Sequence, residues 1–112
     1  MSGHYVIKKS NAVQPYHFVL RAANNQVILT SENYANKQGA LTGIASCQAN
    51  SPYDYRYERK TSTATQPYSF VLKAANGLVI GRSENYQAEA SREAGIASVK
   101  ANGPTQDIRD ES

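Results

Sequence analysis

Apolar and polar residues alternate from residue 16 to residue 23, where Phe18, Leu20 and Ala22 fall on one side of an extended chain. A period of two predicts a half-buried β-strand. Residues 26–31 form a second stretch of this kind, and the Asn24-Asn25 pair between them indicates a two-residue type I′ turn. The pattern therefore predicts a β-hairpin over residues 16–31.

A two-residue turn also determines which residues face each other across the hairpin. It places Leu20 opposite Leu29 and Ala22 opposite Val27, so that one face is apolar. We expect that face to be core, and it carries Phe18, Leu20, Ala22, Val27 and Leu29. We expect the opposite face to be partly exposed, and it carries His17, Val19, Arg21, Ile28 and Thr30.

The residues after the hairpin change to a helical period. Ala40, Ile44 and Cys47 are spaced by four and three positions, which predicts a helix over residues 37–48. The Asn50-Ser51-Pro52 segment ends that helix, because asparagine favours a helix end and proline cannot continue one. Residues 53–60 then alternate tyrosine with charged side chains, which predicts a strand with one solvent-exposed face.

All of these elements occur twice, and the second copy follows the first by 52 positions without a gap. The second hairpin covers residues 68–83, with Asn76-Gly77 at its turn, and the second helix covers residues 89–100. The second hairpin therefore also has a face that we expect to be partly exposed, and it carries Ser69, Val71, Lys73, Ile80 and Arg82.

The duplication predicts an internal pseudo-dimer. Two copies are too few for an open solenoid, so we expect them to close on each other around a pseudo-twofold axis. Residues 53–60 end one copy and begin the next, so we expect a central strand that belongs to both, and residues 105–111 suit a short edge strand. We therefore predict a monomeric single domain over residues 1–112, with internal repeats 1–52 and 53–112.

Composition and charge narrow the functional classes. The net charge of +3 resides in residues 1–52, a bias too weak for a nucleic-acid-binding arm. A single cysteine, Cys47, excludes an internal disulfide and is typical of a reducing compartment. No stretch approaches the roughly 20 apolar residues of a membrane span, and none suits a signal peptide. We therefore expect a cytoplasmic protein without a membrane partner.

Three segments resemble the YegP-like family of small bacterial proteins. They are the Phe-x-Leu-(Lys/Arg)-Ala-x-Asn pattern at residues 18–24 and 70–76, the Ser83-Glu84-Asn85-Tyr86 motif, and the Gly-Ile-Ala-Ser-Val-Lys-x-Asn pattern at residues 95–102. The first copy departs from the family pattern at Asn25, where glycine is usual, and at Cys47, where valine is usual.

The resemblance implies a fold and no activity. Members of the family are built from β-β-β-α-β units, as two subunits or as tandem repeats, that share a sheet and exchange terminal strands. Together with the repeat, this predicts an α+β fold in which two tandem β-β-β-α-β repeats form one pseudo-twofold antiparallel-type sheet. The terminal strands are exchanged and two helices pack on one face.

Neither catalysis nor a metal is indicated by the reactive residues. Cys47 lies on the inward stripe of its helix and corresponds to Val99, so that we expect a small apolar role for it. His4 and His17 lack a metal-ligand spacing, and Gly-rich phosphate loops are absent. We predict no catalytic residues, no metal and no cofactor. An enzyme using Glu32 and Glu84 in symmetric clefts is the third and least favoured hypothesis.

The repeated Ser-Glu-Asn-Tyr motif is the most conspicuous candidate site. One hypothesis is a pair of symmetric pockets, each with a carboxylate, an amide and a phenol. The favoured hypothesis is a structural connection between strand and helix, in which serine and asparagine bond the local backbone and the tyrosine covers the core edge. The motif comprises Ser31, Glu32, Asn33, Tyr34, Ser83, Glu84, Asn85 and Tyr86. Gly43 and Gly95 lie within the helices, where the favoured explanation is close helix-on-sheet packing and the alternative is room for a ligand.

The exposed face of the sheet provides the tentative binding residues. They are Arg21, Lys73, Arg82, Val19 and Val71, with Ile28 beside them. Basic and apolar groups on an open sheet suit single-stranded nucleic acid, although aromatic stacking platforms are absent unless Tyr55 and Tyr57 project there. The favoured function is a non-enzymatic binding or interaction module of unknown ligand or protein partner, and nucleic-acid binding is the alternative.

Overall fold

The computed structural model describes residues 3–112, which form seven strands and two helices. The first repeat contains β1 (His4–Lys9), β2 (Tyr16–Arg21), β3 (Val27–Ser31) and α1 (Lys37–Asn50). A 3₁₀ turn at Asp54–Arg56 leads to β4 (Tyr57–Thr61). The second repeat continues with β5 (Tyr68–Lys73), β6 (Val79–Arg82), α2 (Glu89–Asn102) and β7 (Ile108–Asp110).

The seven strands form one sheet in the order β4-β5-β6-β3-β2-β1-β7. All neighbours are antiparallel except β7, which pairs in parallel with β1 and so carries the end of the second repeat to the first. Buried residues of both helices join the same core cluster as the inner face of the sheet. The predicted α+β fold with two helices on one face is confirmed, with a mixed rather than a fully antiparallel sheet.

The prediction of two-residue type I′ turns was wrong. The Asn25 N–H donates to the Ala22 carbonyl (2.8 Å) and the Ala22 N–H donates to the Gln26 carbonyl (2.9 Å). Asn25 is left-handed, with φ of 72°, and Gly77 takes this position in the second hairpin with φ of 85°. A type I′ turn needs two left-handed residues, whereas this longer turn needs one and shifts the strand register.

The register shift moves two isoleucines to the other side of the sheet. Leu20 still pairs with Leu29, but Arg21 pairs with Val27, so that Ile28 is an extra residue on its strand. Ile28 packs against the core and Ile80 is buried within it. The predicted placement of Ile28 and Ile80 on the exposed face was therefore wrong, and so was the pairing of Ala22 with Val27.

The predicted central strand over residues 53–60 was also wrong. Residues 54–56 form the 3₁₀ turn, in which the Tyr57 N–H donates to the Asp54 carbonyl, and β4 lies at the edge of the sheet beside β5. The alternation does not correspond to alternating burial, because Tyr57 is buried while Tyr53, Tyr55 and the rest of β4 are exposed. The short edge strand expected at residues 105–111 is present as β7.

The C-terminal ends of the two helices meet near the pseudo-twofold axis. The buried Tyr5 hydroxyl donates to the Gly103 carbonyl (2.6 Å), and the Tyr57 hydroxyl donates to the Ser51 carbonyl (2.7 Å). A side chain at Gly103 would overlap with Ser51. The last carbonyls of a helix have no hydrogen-bond partner within it, and each tyrosine hydroxyl donates to one of them. The bond from Tyr5 also links the first repeat to the second.

Candidate functional site

The serine of the repeated motif completes the sheet where the strand ends. Ser31 Oγ accepts a hydrogen bond from the Phe18 N–H (2.8 Å) and donates to the Glu32 carbonyl (2.7 Å). Ser83 makes the same two bonds with Phe70 (3.0 Å) and Glu84 (2.7 Å). In both repeats, therefore, this hydroxyl replaces a backbone carbonyl as the partner of a buried strand N–H.

Alanine at Ser31 is expected to lower the free energy of unfolding by about 1–3 kcal/mol, because it leaves a buried N–H without an acceptor. Ser83→Ala should have a similar effect, since it removes the same bond in the other repeat. Urea denaturation of both variants provides the measurement. A loss below about 0.5 kcal/mol for both would contradict the structural role of the serine.

The tyrosine of the motif connects the strand to the helix. In the first repeat this is Tyr34, whose backbone makes two hydrogen bonds with Tyr16. The Tyr34 N–H donates to the Tyr16 carbonyl (2.6 Å), and the Tyr16 N–H donates to the Tyr34 carbonyl (3.1 Å). The Tyr34 ring stacks on Phe18 at 6.3 Å between centroids. A Cβ at Gly43 would overlap with the Tyr34 hydroxyl and lie 2.7 Å from Cζ, so glycine is needed for this packing. Burial raises the pKa of the Tyr34 phenol above its usual range, and the Glu32 carboxylate adds to this effect.

The two glutamates of the motif differ in their surroundings. Glu32 forms an ion pair with Arg82 (2.7 Å). Thr30 stands in the first repeat where the second has Arg82. Glu84 therefore lacks an equivalent arginine, and no cation within residues 3–112 forms an ion pair with it. Asn33 and Asn85 are both exposed. The symmetric pair of carboxylate pockets is therefore absent from the described residues, although Glu84 by itself lines a cleft.

Two clefts related by the repeat lie between each helix and the hairpin of the other repeat. The first, which we call the apolar cleft, has a volume of about 450 Å³. It is lined by Tyr34, Gln38, Gly39, Thr42, Gly43, Ser46, Ala74, Asn76, Leu78, Val79 and Ile80. The second, which we call the polar cleft, has a volume of about 370 Å³. It is lined by Ala22, Asn24, Gln26, Val27, Ile28, Glu84, Tyr86, Ser91, Ala94, Gly95 and Ser98.

The two clefts share a backbone geometry and differ in chemistry. The apolar cleft contains no charged residue, and Leu78 at its lip is 67% exposed. At the corresponding positions of the polar cleft, Gln26 replaces Leu78 and Ser91 replaces Gly39. The polar cleft also contains the carboxylate of Glu84. The duplicated fold thus presents one uncharged, mainly apolar cavity and one polar, acidic cavity.

The predicted binding face of the sheet is less open than expected. Val19, Thr30, Arg82 and Val71 lie side by side on adjacent strands, but Val19 is 6% exposed and Val71 is 4% exposed. The expectation that these valines are partly exposed was wrong, because neighbouring side chains cover such short residues.

The three cations of that face are already engaged. Arg21 Nη1 donates to the Asn25 carbonyl (2.8 Å), Lys73 pairs with Glu58, and Arg82 pairs with Glu32. Tyr57 points into the core instead of providing a stacking platform, and the exposed Tyr55 stacks on Tyr53 at the 3₁₀ turn. Two of these three cations therefore have internal ion pairs, and Arg21 uses one guanidinium nitrogen in a hydrogen bond to the backbone.

The remaining reactive groups are the thiol of Cys47 and the side chains that could bind a metal. Cys47 is fully buried, and burial raises the pKa of its thiol to about 11, so that the thiol stays protonated at neutral pH. Among residues 3–112, no three His, Cys, Asp or Glu side chains come together as a candidate metal site. Neither α1 nor α2 has the length and apolar character needed to cross a membrane.

The sequence did not indicate the residues at the lips of the clefts. Leu78 stands at a hairpin tip, and its only signal is that an apolar residue replaces the Gln26 of the other copy. The clefts form between the helix of one repeat and the hairpin of the other, so their lining could not be assembled before the strand order was known. Thr42 was missed for the same reason.

Comparison with known proteins identifies the family. The model of a family described as a domain of unknown function, DUF1508, matches residues 14–58 and again residues 64–110. UPF0339 protein YegP of Yersinia pestis is 52% identical over 108 residues, which are 96% of this chain and 95% of that protein.

Two solution NMR structures show the same fold. The yegP protein of E. coli, described as a protein of unknown function, has a TM-score of 0.91 at 49% identity and covers 99% of this chain and 94% of its own. A UPF0339 protein from Shewanella oneidensis has a TM-score of 0.89 at 48% identity, with 98% and 92% of the two chains covered. The chain therefore belongs to the YegP, or UPF0339, family of small uncharacterised bacterial proteins, and it contains two DUF1508 repeats.

Proposed function

We propose that this protein is a non-enzymatic binding module and that the apolar cleft is its site. The ligand is a small, uncharged and largely apolar molecule. The observation that carries the proposal is the exposed Leu78 at the lip of a cleft without charged residues. We also propose that the protein is monomeric and cytoplasmic.

The size and chemistry of the apolar cleft support this class of ligand. Its volume of about 450 Å³ lies within the range of ligand pockets. Ile80 and Val79 give it apolar walls, and the glycines of α1 allow the Tyr34 ring to pack against the helix at the side of the cleft. Tyr34, Ser46 and Asn76 provide a few polar groups that would orient a ligand, as is typical of binding pockets.

Covering Leu78 would supply a considerable part of the binding free energy. Full burial of a leucine side chain stabilises a complex by about 1.5–3 kcal/mol. The corresponding Gln26 of the polar cleft offers no such gain, because burying its amide without partners is unfavourable. The difference between the repeats thus favours the apolar cleft over the polar cleft for a ligand of this class.

Two other hypotheses have weaker support. Nucleic-acid binding through the open face would set phosphates in competition with the carboxylates that now pair with Lys73 and Arg82. Covalent catalysis would require a nucleophile with a neighbouring base. The thiol of Cys47 is buried and protonated, and Glu32 is engaged with Arg82. These observations favour the binding module.

An amide-resolved NMR titration with N-phenyl-1-naphthylamine, an uncharged apolar probe, tests the proposal. We expect saturable shifts at Thr42, Ser46 and Leu78. Leu78→Gln, which copies the other repeat, should weaken binding about tenfold because the apolar contact is lost. The matched variant Gln26→Leu should create a second, weaker site in the polar cleft. Shifts that are scattered over the surface, or unaffected by Leu78→Gln, would contradict the proposal.

A further inference from the structure

We propose that the polar cleft is a second binding site, for a small molecule that carries an ammonium or guanidinium group, and that Glu84 receives this group. The site and the ligand differ from those of the apolar cleft, so the two proposals do not depend on each other.

The first support is that Glu84 lacks the cation that its counterpart has. Glu32 is neutralised by Arg82, which lies across the centre of the sheet, directly opposite Thr30. An arginine at both positions would place two like charges opposite each other, which destabilises a sheet. Strands β3 and β6 meet at the pseudo-twofold axis, so only one of them carries the arginine. Arg82 neutralises Glu32, and the carboxylate of Glu84 is left for an external cation.

The second support is a difference in the backbone at the same place. The Glu32 N–H donates to the Ile80 carbonyl (3.2 Å). The equivalent bond from Glu84 to Ile28 is missing among residues 3–112, although both residues line the polar cleft. The Ile28 carbonyl therefore lacks the partner that its counterpart has, and in the proposed site it serves as a second acceptor beside Glu84.

The remaining lining suits a cation on a short apolar stem. Ser91 and Ser98 contribute hydroxyl oxygens, and Val27 and Ala94 contribute apolar surface. The lining contains no lysine or arginine that would repel a cation. A groove of about 340 Å³ adjoins the cleft and shares Val27, Ile28 and Glu84 with it, which gives room for a chain of several atoms. Arg82 also lines this groove, where its charge is paired with Glu32.

The test is an NMR titration of the whole protein with cadaverine, and with 1-pentanol as the uncharged control of similar length. We expect saturable shifts at Ile28, Glu84 and Ser98 with cadaverine alone. Glu84→Gln should weaken binding about tenfold, since a hydrogen bond between two charged groups is lost. Thr30→Arg combined with Arg82→Thr, which moves the cation to the other repeat without placing two arginines opposite each other, should weaken binding similarly. Leu78→Gln should leave binding of cadaverine unchanged.

Several results would overturn the proposal. They are equal shifts with 1-pentanol, binding unaffected by Glu84→Gln, or shifts as large at the exposed carboxylates Asp54 and Asp110 as at Glu84. A parallel titration with the N-methylamide of N-acetyl-lysine distinguishes the two sources of an ammonium group. Tighter binding of cadaverine identifies a free amine as the ligand, and tighter binding of the lysine derivative identifies a lysine side chain of a protein.

Discussion

Phe18→Ala is expected to lower the free energy of unfolding by about 3–5 kcal/mol, because it leaves a large cavity in the core. Phe18 is fully buried, with Tyr5 edge-on at 5.6 Å and Tyr34 stacked on it at 6.3 Å. Phe70→Ala is the matched variant, since Phe70 is equally buried and meets Tyr57 at 5.7 Å. The two losses should therefore be similar.

The same pair of variants tests whether the chain is one cooperative domain. The core is continuous across the repeats, and Tyr5 of the first repeat bonds Gly103 of the second. We expect one unfolding transition, in which amides of both repeats lose protection together when either phenylalanine is removed. Hydrogen exchange measured by NMR provides the test, and independent melting of the mutated repeat would contradict it.

Gly103→Ala is expected to destabilise the protein by about 1–3 kcal/mol through overpacking. A Cβ at this position overlaps with Ser51 Oγ and Cβ and lies 2.9 Å from the Val99 carbonyl. Because the two helix ends meet here, the strain should be felt in both repeats. Thermal and urea unfolding provide the measurement.

A double-mutant cycle separates this contact from other effects of the substitution. In the Ser51→Gly background the overlapping side chain is absent, so Gly103→Ala should cost less than it does in the native chain. The difference between the two losses measures the Ser51–Gly103 contact. Equal losses in both backgrounds would show that the close approach of the helix ends is not the cause.

The periodic elements and the repeat could be predicted because they depend on local spacing. Both hairpins, both helices and the Leu20–Leu29 pairing follow from apolar positions at periods of two and about three and a half. The turns could not be predicted, because Asn-Gly suits both a type I′ turn and the longer turn with one left-handed residue. The type of turn determines the face of the sheet on which Ile28 and Ile80 lie, and the longer turn places them on the core face.

The sequence does indicate that β4 is an edge strand, through residues that are apolar in the first repeat and charged in the second. Ile7 and Leu41 of the first repeat correspond to Arg59 and Glu93, which form an ion pair (3.0 Å). Charged side chains are typical of an edge strand, because they oppose pairing with another chain. The corresponding strand of the first repeat, β1, is not at an edge because β7 pairs with it, and there the apolar Ile7 replaces Arg59. Divergence between copies was therefore more informative than their identity, and it also distinguishes the two clefts.

Intermolecular NOEs test most directly whether the apolar cleft holds a small uncharged ligand. Isotope-filtered spectra of methyl-labelled protein with bound N-phenyl-1-naphthylamine report which methyl groups touch the ligand. We expect NOEs to Leu78, Val79 and Ile80, and none to Val27 or Ile28. NOEs to the methyl groups of both clefts alike, or to those of the open sheet face, would contradict it.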